Sequence, residues 1–222
     1  KKHDVYLNEE DAEKFIKDFN ATAHRRHVEY AIEQGKQVPA EVLAEYPDLP
    51  PRGRFRAAWG IDDATKVVLY LGRLDPTKGI DLLIRSFGEV GQEFGDAVLM
   101  LVGGDMGHNE EFRRRVRSLG LDDRVIFTGF VSREDKMAAF TDADVFVTPS
   151  FTGFPITFLE ACLCGTPIVT TGHGDLLGWV DNTVGFNTAY TPEALAGAIG
   201  RLLVDDALRD GFGRQAKEIV RT

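Results

Sequence analysis

Residues 67–84, VVLYLGRLDPTKGIDLLI, carry the pattern that decides the fold. Val67–Leu71 is an unbroken apolar run, too short for a helix and too uniform for a strand with one wet face. Such a run suits a parallel strand covered on both sides. Gly72 and Arg73 open a loop, Pro76 and Gly79 punctuate it, and Asp81–Phe94 places Leu82, Leu83, Phe87 and Val90 at helical spacing. Strand, loop and helix in this order make the first half of a βαβ unit.

The unit recurs. Val98–Val102, Val125–Phe127, Val145–Thr148, Ile168–Thr170 and, more weakly, Val184–Phe186 read as strands. Asn109–Leu119, Arg133–Phe140, Pro155–Cys164 and Pro192–Leu203 read as helices, each with a cap or a proline near its first turn. The expected fold is α/β: a doubly wound, parallel, six-stranded Rossmann-like sheet over 61–222. Residues 1–60 show helical patterns at Glu9–Phe19 and His24–Glu33, a proline-rich stretch and a short helix at Phe55–Trp59, without strand signals. They read as a helical lead-in or insertion and linker. His24 and His27 read as a solvated helix face, since no third metal ligand is near in sequence. EIVRT stops inside a helical pattern, and both ends read as those of a fragment.

Charge removes several function classes. A net charge of −9 argues against a nucleic-acid partner, which asks for a basic face, and against contact of this half with an anionic membrane. The arginines of Arg113–Arg117 stand beside Glu110 and Glu111 and read as a solvated face. No apolar run approaches the ~20 residues of a membrane span, and the first residues lack the apolar core of a secretory signal. Cys162 and Cys164 lie two positions apart, about 200° around a helix, which suits small buried packers better than a redox pair. A reducing, cytoplasmic setting is expected.

Ligands of a doubly wound sheet sit outside the carboxyl ends of its strands, so the loops there are the place to seek chemistry. Arg73 and Lys78 share the first of these loops, beside a helix N-terminus. Together they form a candidate diphosphate clamp: a bidentate guanidinium, a point charge and a helix dipole. The alternative is an Arg73–Asp75 pair with Lys78 merely exposed. Gly72 and Gly103 allow close backbone approach. Gly129, Phe130 and Val131 offer backbone groups and an apolar wall. Thr152, Gly153, Phe154, Pro155 and Ile156 lead into a helix in which Glu160 is the sole charged residue. An ionised carboxylate among Phe158, Leu159, Ala161 and Leu163 needs partners. They are either a basic residue of the fold or the vicinal hydroxyls of a sugar.

Taken in order, GRLDPTKGIDLLI, LVGGD, VIFTGFV and SFTGFPITFLEACLCGTPIV resemble the C-terminal domain of retaining family-4 (group 1) glycosyltransferases of the GT-B fold. The resemblance runs from about Lys66 to Ile219. It implies that Arg73 and Lys78, as the catalytic pair, hold the diphosphate of a nucleotide-sugar donor, with no metal or other cofactor. It implies that Glu160 holds the ribose, that Gly129–Val131 borders the base and that Gly153–Ile156 approaches the donor sugar. It also implies an N-terminal acceptor-binding domain of the same enzyme that is absent from this sequence, polysaccharide or glycoconjugate synthesis as the setting, and membrane association of the whole enzyme as an open option. Two departures touch the sugar subsite: Thr152 stands where the family carries a glutamate, and Pro155 removes a backbone N–H. Rival readings are a non-catalytic nucleotide-sugar-binding or regulatory module, and a GT-B-fold nucleotide-sugar epimerase.

Overall fold

The computed structural model describes residues 50–149, 156–172 and 178–220. The expected helices at Glu9–Phe19 and His24–Glu33, the His24–His27 pair, and Thr152, Gly153, Phe154 and Pro155 lie outside them.

After a short helix α1 (Arg54–Ala58) come β1 (Val67–Leu71), α2 (Ile80–Glu93), β2 (Val98–Val102), α3 (Asn109–Ser118), β3 (Val125–Gly129), α4 (Arg133–Asp142), β4 (Val145–Thr148), α5 (Ile156–Cys164), β5 (Ile168–Thr171), β6 (Gly185–Thr188), α6 (Pro192–Val204) and α7 (Asp206–Ile219). The six strands form one parallel sheet in the order β3-β2-β1-β4-β5-β6. That is the Rossmann order, with its reversal between β1 and β4. The six expected strands are all present. α7 is a helix the sequence reading left undelimited, although Asp205 caps it by accepting from the Leu208 N–H at 2.9 Å. Gly211 and Gly213 inside it obscure the pattern of the buried Phe212 and Ala216.

Both sheet faces are covered, as the apolar runs require. Val68, Tyr70, Leu99, Leu101, Val145 and Val147 pack in one cluster with Leu83, Phe87 and Val90 of α2 and Leu195, Ile199 and Leu202 of α6. On the other face Phe146 meets Phe140 of α4 at 5.1 Å and Phe158 of α5 at 6.1 Å, both edge-on, a favoured aromatic geometry.

The amino edge of the sheet is closed by a buried ionic clasp. Asp142 accepts from the N–H groups of Gly53, Phe55 and Arg56, satisfying the first donors of α1. Arg56, 2% exposed, donates to the carbonyls of Asp142, Asp62 and Thr65 and to the Asp144 carboxylate at 3.0 Å. Asp144 in turn accepts from the Val67 N–H at 2.7 Å, so the start of β1 is part of the same network.

Cys162 and Cys164 are buried free thiols, as expected of packers. Desolvation pushes Cys162 up to about 12 and Cys164 up to about 11. Raised pKa values keep both as thiols at neutral pH, so neither should react with a disulfide reagent in the folded protein, and both should in denaturant. Asp142→Ala, which orphans three backbone donors, should lower unfolding free energy by about 2–4 kcal/mol, read from the urea midpoint.

Candidate functional site

A parallel sheet brings the carboxyl ends of all its strands to one edge. At that edge a cavity of about 420 Å³ opens between the ends of β1, β2 and β3 and the first turn of α4. Gly72, Arg73, Gly103, Phe130 and Val131 line it, all named from the sequence, together with Gly104, Ser132, Arg133 and Lys136.

The floor is backbone pressed on backbone. The Gly72 N–H donates to the Val102 carbonyl at 2.9 Å, and the Gly103 N–H to the Gly129 carbonyl at 3.0 Å. A Cβ on Gly103 would stand 1.8 Å from the Gly72 carbonyl oxygen, so no side chain is possible there. Gly129, at φ +72°, turns the chain left-handed at the end of β3 and projects Phe130, 88% exposed, at the cavity mouth. That exposed ring matches the apolar wall expected of this loop.

Arg73 is exposed and makes no ion pair among the described residues. The alternative Arg73–Asp75 pair does not form. The Asp75 carboxylate instead accepts from the Thr77 hydroxyl and from the Thr77 N–H at 2.8 Å, and these bonds hold it below the usual carboxylate range. Beneath the loop the buried Tyr70 hydroxyl donates to the Arg73 carbonyl at 2.9 Å, and burial drives its pKa upward. The guanidinium is thus carried on a braced backbone. Lys78, half-buried, ends the 3-10 turn Pro76–Lys78 on the same edge, immediately before Gly79 and the N-terminus of α2. It does not line the cavity. Ile156 begins α5 and also lies outside the lining.

Glu160 meets the first of its two readings, a basic partner within the fold. It is 3% exposed, and one carboxylate oxygen accepts from the Lys136 ammonium. The other oxygen, Oε2, is buried without a hydrogen-bond partner among the described residues. Such an unmatched acceptor costs about 1–3 kcal/mol, which an incoming hydroxyl would recover. Glu160 reaches the cavity only through Lys136. That lysine went unnamed in the sequence reading, although a buried carboxylate announces a cation and Lys136 stands one turn past the loop Gly129–Val131. Asp105, beside Gly104, faces the backbone: it accepts from the N–H groups of Gly107, His108 and Asn109 at the start of α3.

Among the described residues no group of three or more His, Cys, Asp or Glu side chains is arranged to hold a metal ion. Nor is any helix there long and apolar enough to cross a membrane.

The strand order and the cavity at the carboxyl edge place the chain among the Rossmann-like α/β domains. More narrowly, residues 51–219 match the family model of glycosyl transferases group 1, and the chain belongs to that family. The putative glycosyltransferase YtcC of Bacillus subtilis is 35% identical over 76% of this chain and 44% of its own. The GDP-mannose-dependent alpha-(1-6)-phosphatidylinositol monomannoside mannosyltransferase of Mycolicibacterium smegmatis is 36% identical over 72% of this chain and 44% of its own. Among solved structures, Anabaena Alr3699/HepE in complex with UDP-glucose matches with a TM-score of 0.67 at 27% identity, over 75% of this chain and 46% of that one. The chain therefore spans less than half the length of each. The GT-B type of Rossmann-like sheet implied by the sequence is the sheet observed.

Tyr70→Phe removes the brace under Arg73 without opening a cavity. It should cost about 0.5–1.5 kcal/mol in urea unfolding, the worth of one hydrogen bond.

Proposed function

We propose that this chain is the donor-binding half of a retaining glycosyltransferase, holding a nucleotide-diphospho-sugar while another domain of the same enzyme presents the acceptor. The observation that carries the reading is a braced Arg73, without an ion pair among the described residues, on the lip of a cavity whose wall includes Lys136, the partner of the buried carboxylate Glu160. A diphosphate matches the first group and a ribose diol the second. The exposed Phe130 offers the base a flat apolar neighbour.

In this reading Arg73 grips the diphosphate oxygens, with Lys78 and the N-terminus of α2 completing the positive end of the site. As the glycosidic bond breaks, negative charge grows on the departing nucleoside diphosphate. Fixed cations at that point stabilise the transition state more than the bound donor, so they raise the rate as well as the affinity. The two side chains supply the countercharge for which other enzymes use a metal. Two relatives support this donor class: one is GDP-mannose-dependent, and another is solved with UDP-glucose. A role in polysaccharide or glycoconjugate synthesis and a cytoplasmic site of action belong to the same proposal; two free, buried thiols are compatible with a reducing compartment.

A thermal-shift panel of UDP, GDP, ADP and their sugar conjugates tests the reading. At a hundredfold excess over Kd the matching nucleotide should stabilise the fold by about 2.7 kcal/mol, raising Tm by about 5–10 °C for a domain of this size. Arg73→Ala should erase that shift and weaken calorimetric binding by about 30–1000-fold. A wild-type chain indifferent to the whole panel, or a variant that binds as tightly as wild type, would overturn it.

A further inference from the structure

Lys136 occupies an unusual position for a structural lysine. Its ammonium bonds Glu160 Oε1, yet its side chain lines the cavity and is 26% exposed where Glu160 is 4%. It therefore stands between solvent and the carboxylate. An ammonium carries three donors, and one serves Glu160. The carboxylate carries an unused acceptor in Oε2. α4, which bears Lys136, is fixed at its first turn: Ser132 accepts from the Asp135 N–H at 3.1 Å and donates to its carboxylate at 2.8 Å. The position of Cα is thus set, and the four-carbon stem runs from it past the cavity to Glu160.

We propose that Lys136 is a specificity-determining residue that, with Glu160, reads the ribose hydroxyls as one unit. The inference rests on the donor reading above and adds a donor to its single acceptor. Turning the Lys136 stem uncovers the carboxylate to the cavity. Oε2 then accepts from one hydroxyl of the ribose, and the ammonium, still paired to Oε1, donates to the oxygen of the neighbouring one. A vicinal diol supplies a donor and an acceptor together. A deoxyribose lacks one of them and leaves a buried polar group unmatched. Sites built on paired hydrogen bonds reject analogues lacking the hydroxyl far more strongly than apolar pockets sort by size.

The test compares ratios of ribose to deoxyribose forms, with each variant read against Glu160→Gln. Calorimetry on the full chain uses UDP and GDP, each beside its 2′-deoxy and 3′-deoxy form, with inorganic pyrophosphate as a probe of the Arg73 end. Wild type should prefer one ribonucleotide over at least one of its deoxy forms by about 10–100-fold. Lys136→Met should bring that ratio near one while pyrophosphate binding persists, and Lys136→Arg should restore part of it. Because Lys136→Met leaves a buried charge uncompensated, Glu160→Gln alone and the neutral pair Lys136→Met with Glu160→Gln are measured alongside, and the pair should lose more of the ratio than Glu160→Gln alone. A wild-type ratio retained in Lys136→Met, or the same ratio in Glu160→Gln and in the pair, overturns the role of Lys136 and leaves the donor reading standing. Absence of any nucleotide or pyrophosphate binding by wild type overturns both.

Discussion

Parallel pairing is the constraint on which this molecule turns. Strands that run one way must be joined by crossovers, crossovers cover both faces, and covered strands must be apolar throughout. The same constraint sorts the polar groups: every strand begins at one edge and ends at the other. Reversal of the winding between β1 and β4 lets the loops part at the second edge.

The two edges solve the problem of buried charge in opposite ways. At the amino edge Arg56 and Asp144 are buried together, with the guanidinium donors spent on carbonyls and carboxylate and Asp144 also holding the Val67 N–H. That network is closed. It positions α1 and the start of β1, and it has no capacity left for a ligand. At the carboxyl edge Lys136 and Glu160 are paired with capacity to spare, one buried oxygen lacking a partner among the described residues. Fold stability alone gives no reason to keep it so, since a satisfied network or an apolar replacement would serve better. Arg73 fits the same pattern, presented on a loop whose own carboxylate, Asp75, is spent on Thr77.

What the residues disclosed in advance follows from which forces are local. Val67–Leu71 and the five later runs state their strands through composition alone, and Pro192 or Ser132 states a helix start through backbone chemistry. The cavity residues Gly72, Arg73, Gly103, Phe130 and Val131 could be named because a strand end followed by a glycine is a local sign, and topology brings all strand ends together. Lys136 was hidden because its meaning lies in a partner 24 positions away on another helix. Strand order was hidden for the same reason: an apolar run does not say which run lies beside it. α7 went undelimited because two glycines weaken the one periodicity by which a terminal helix can be read. Lys78 shows the limit of reasoning by loop: it shares the loop of Arg73 and the edge of the sheet, yet not the cavity.

A chain of net charge −9 is an unlikely-looking host for an anionic ligand, and the contradiction is only formal. At physiological salt an exposed charge is felt over about 8 Å. A polymer such as nucleic acid lies across many such lengths and meets the whole negative surface. A diphosphate seated at the carboxyl edge meets only what stands beside it: Arg73, Arg133 and Lys136 around the cavity, Lys78 on the neighbouring turn and the N-termini of α2 and α4. The carboxylates in the same neighbourhood are already engaged, Asp75 by Thr77, Asp105 by three backbone N–H groups and Glu160 by Lys136. Of these cations Lys136 is already paired with Glu160, whereas Arg73 makes no ion pair among the described residues and is the charge left over at this edge. Local charge of this kind, rather than net charge, sets the field a compact anion would meet there.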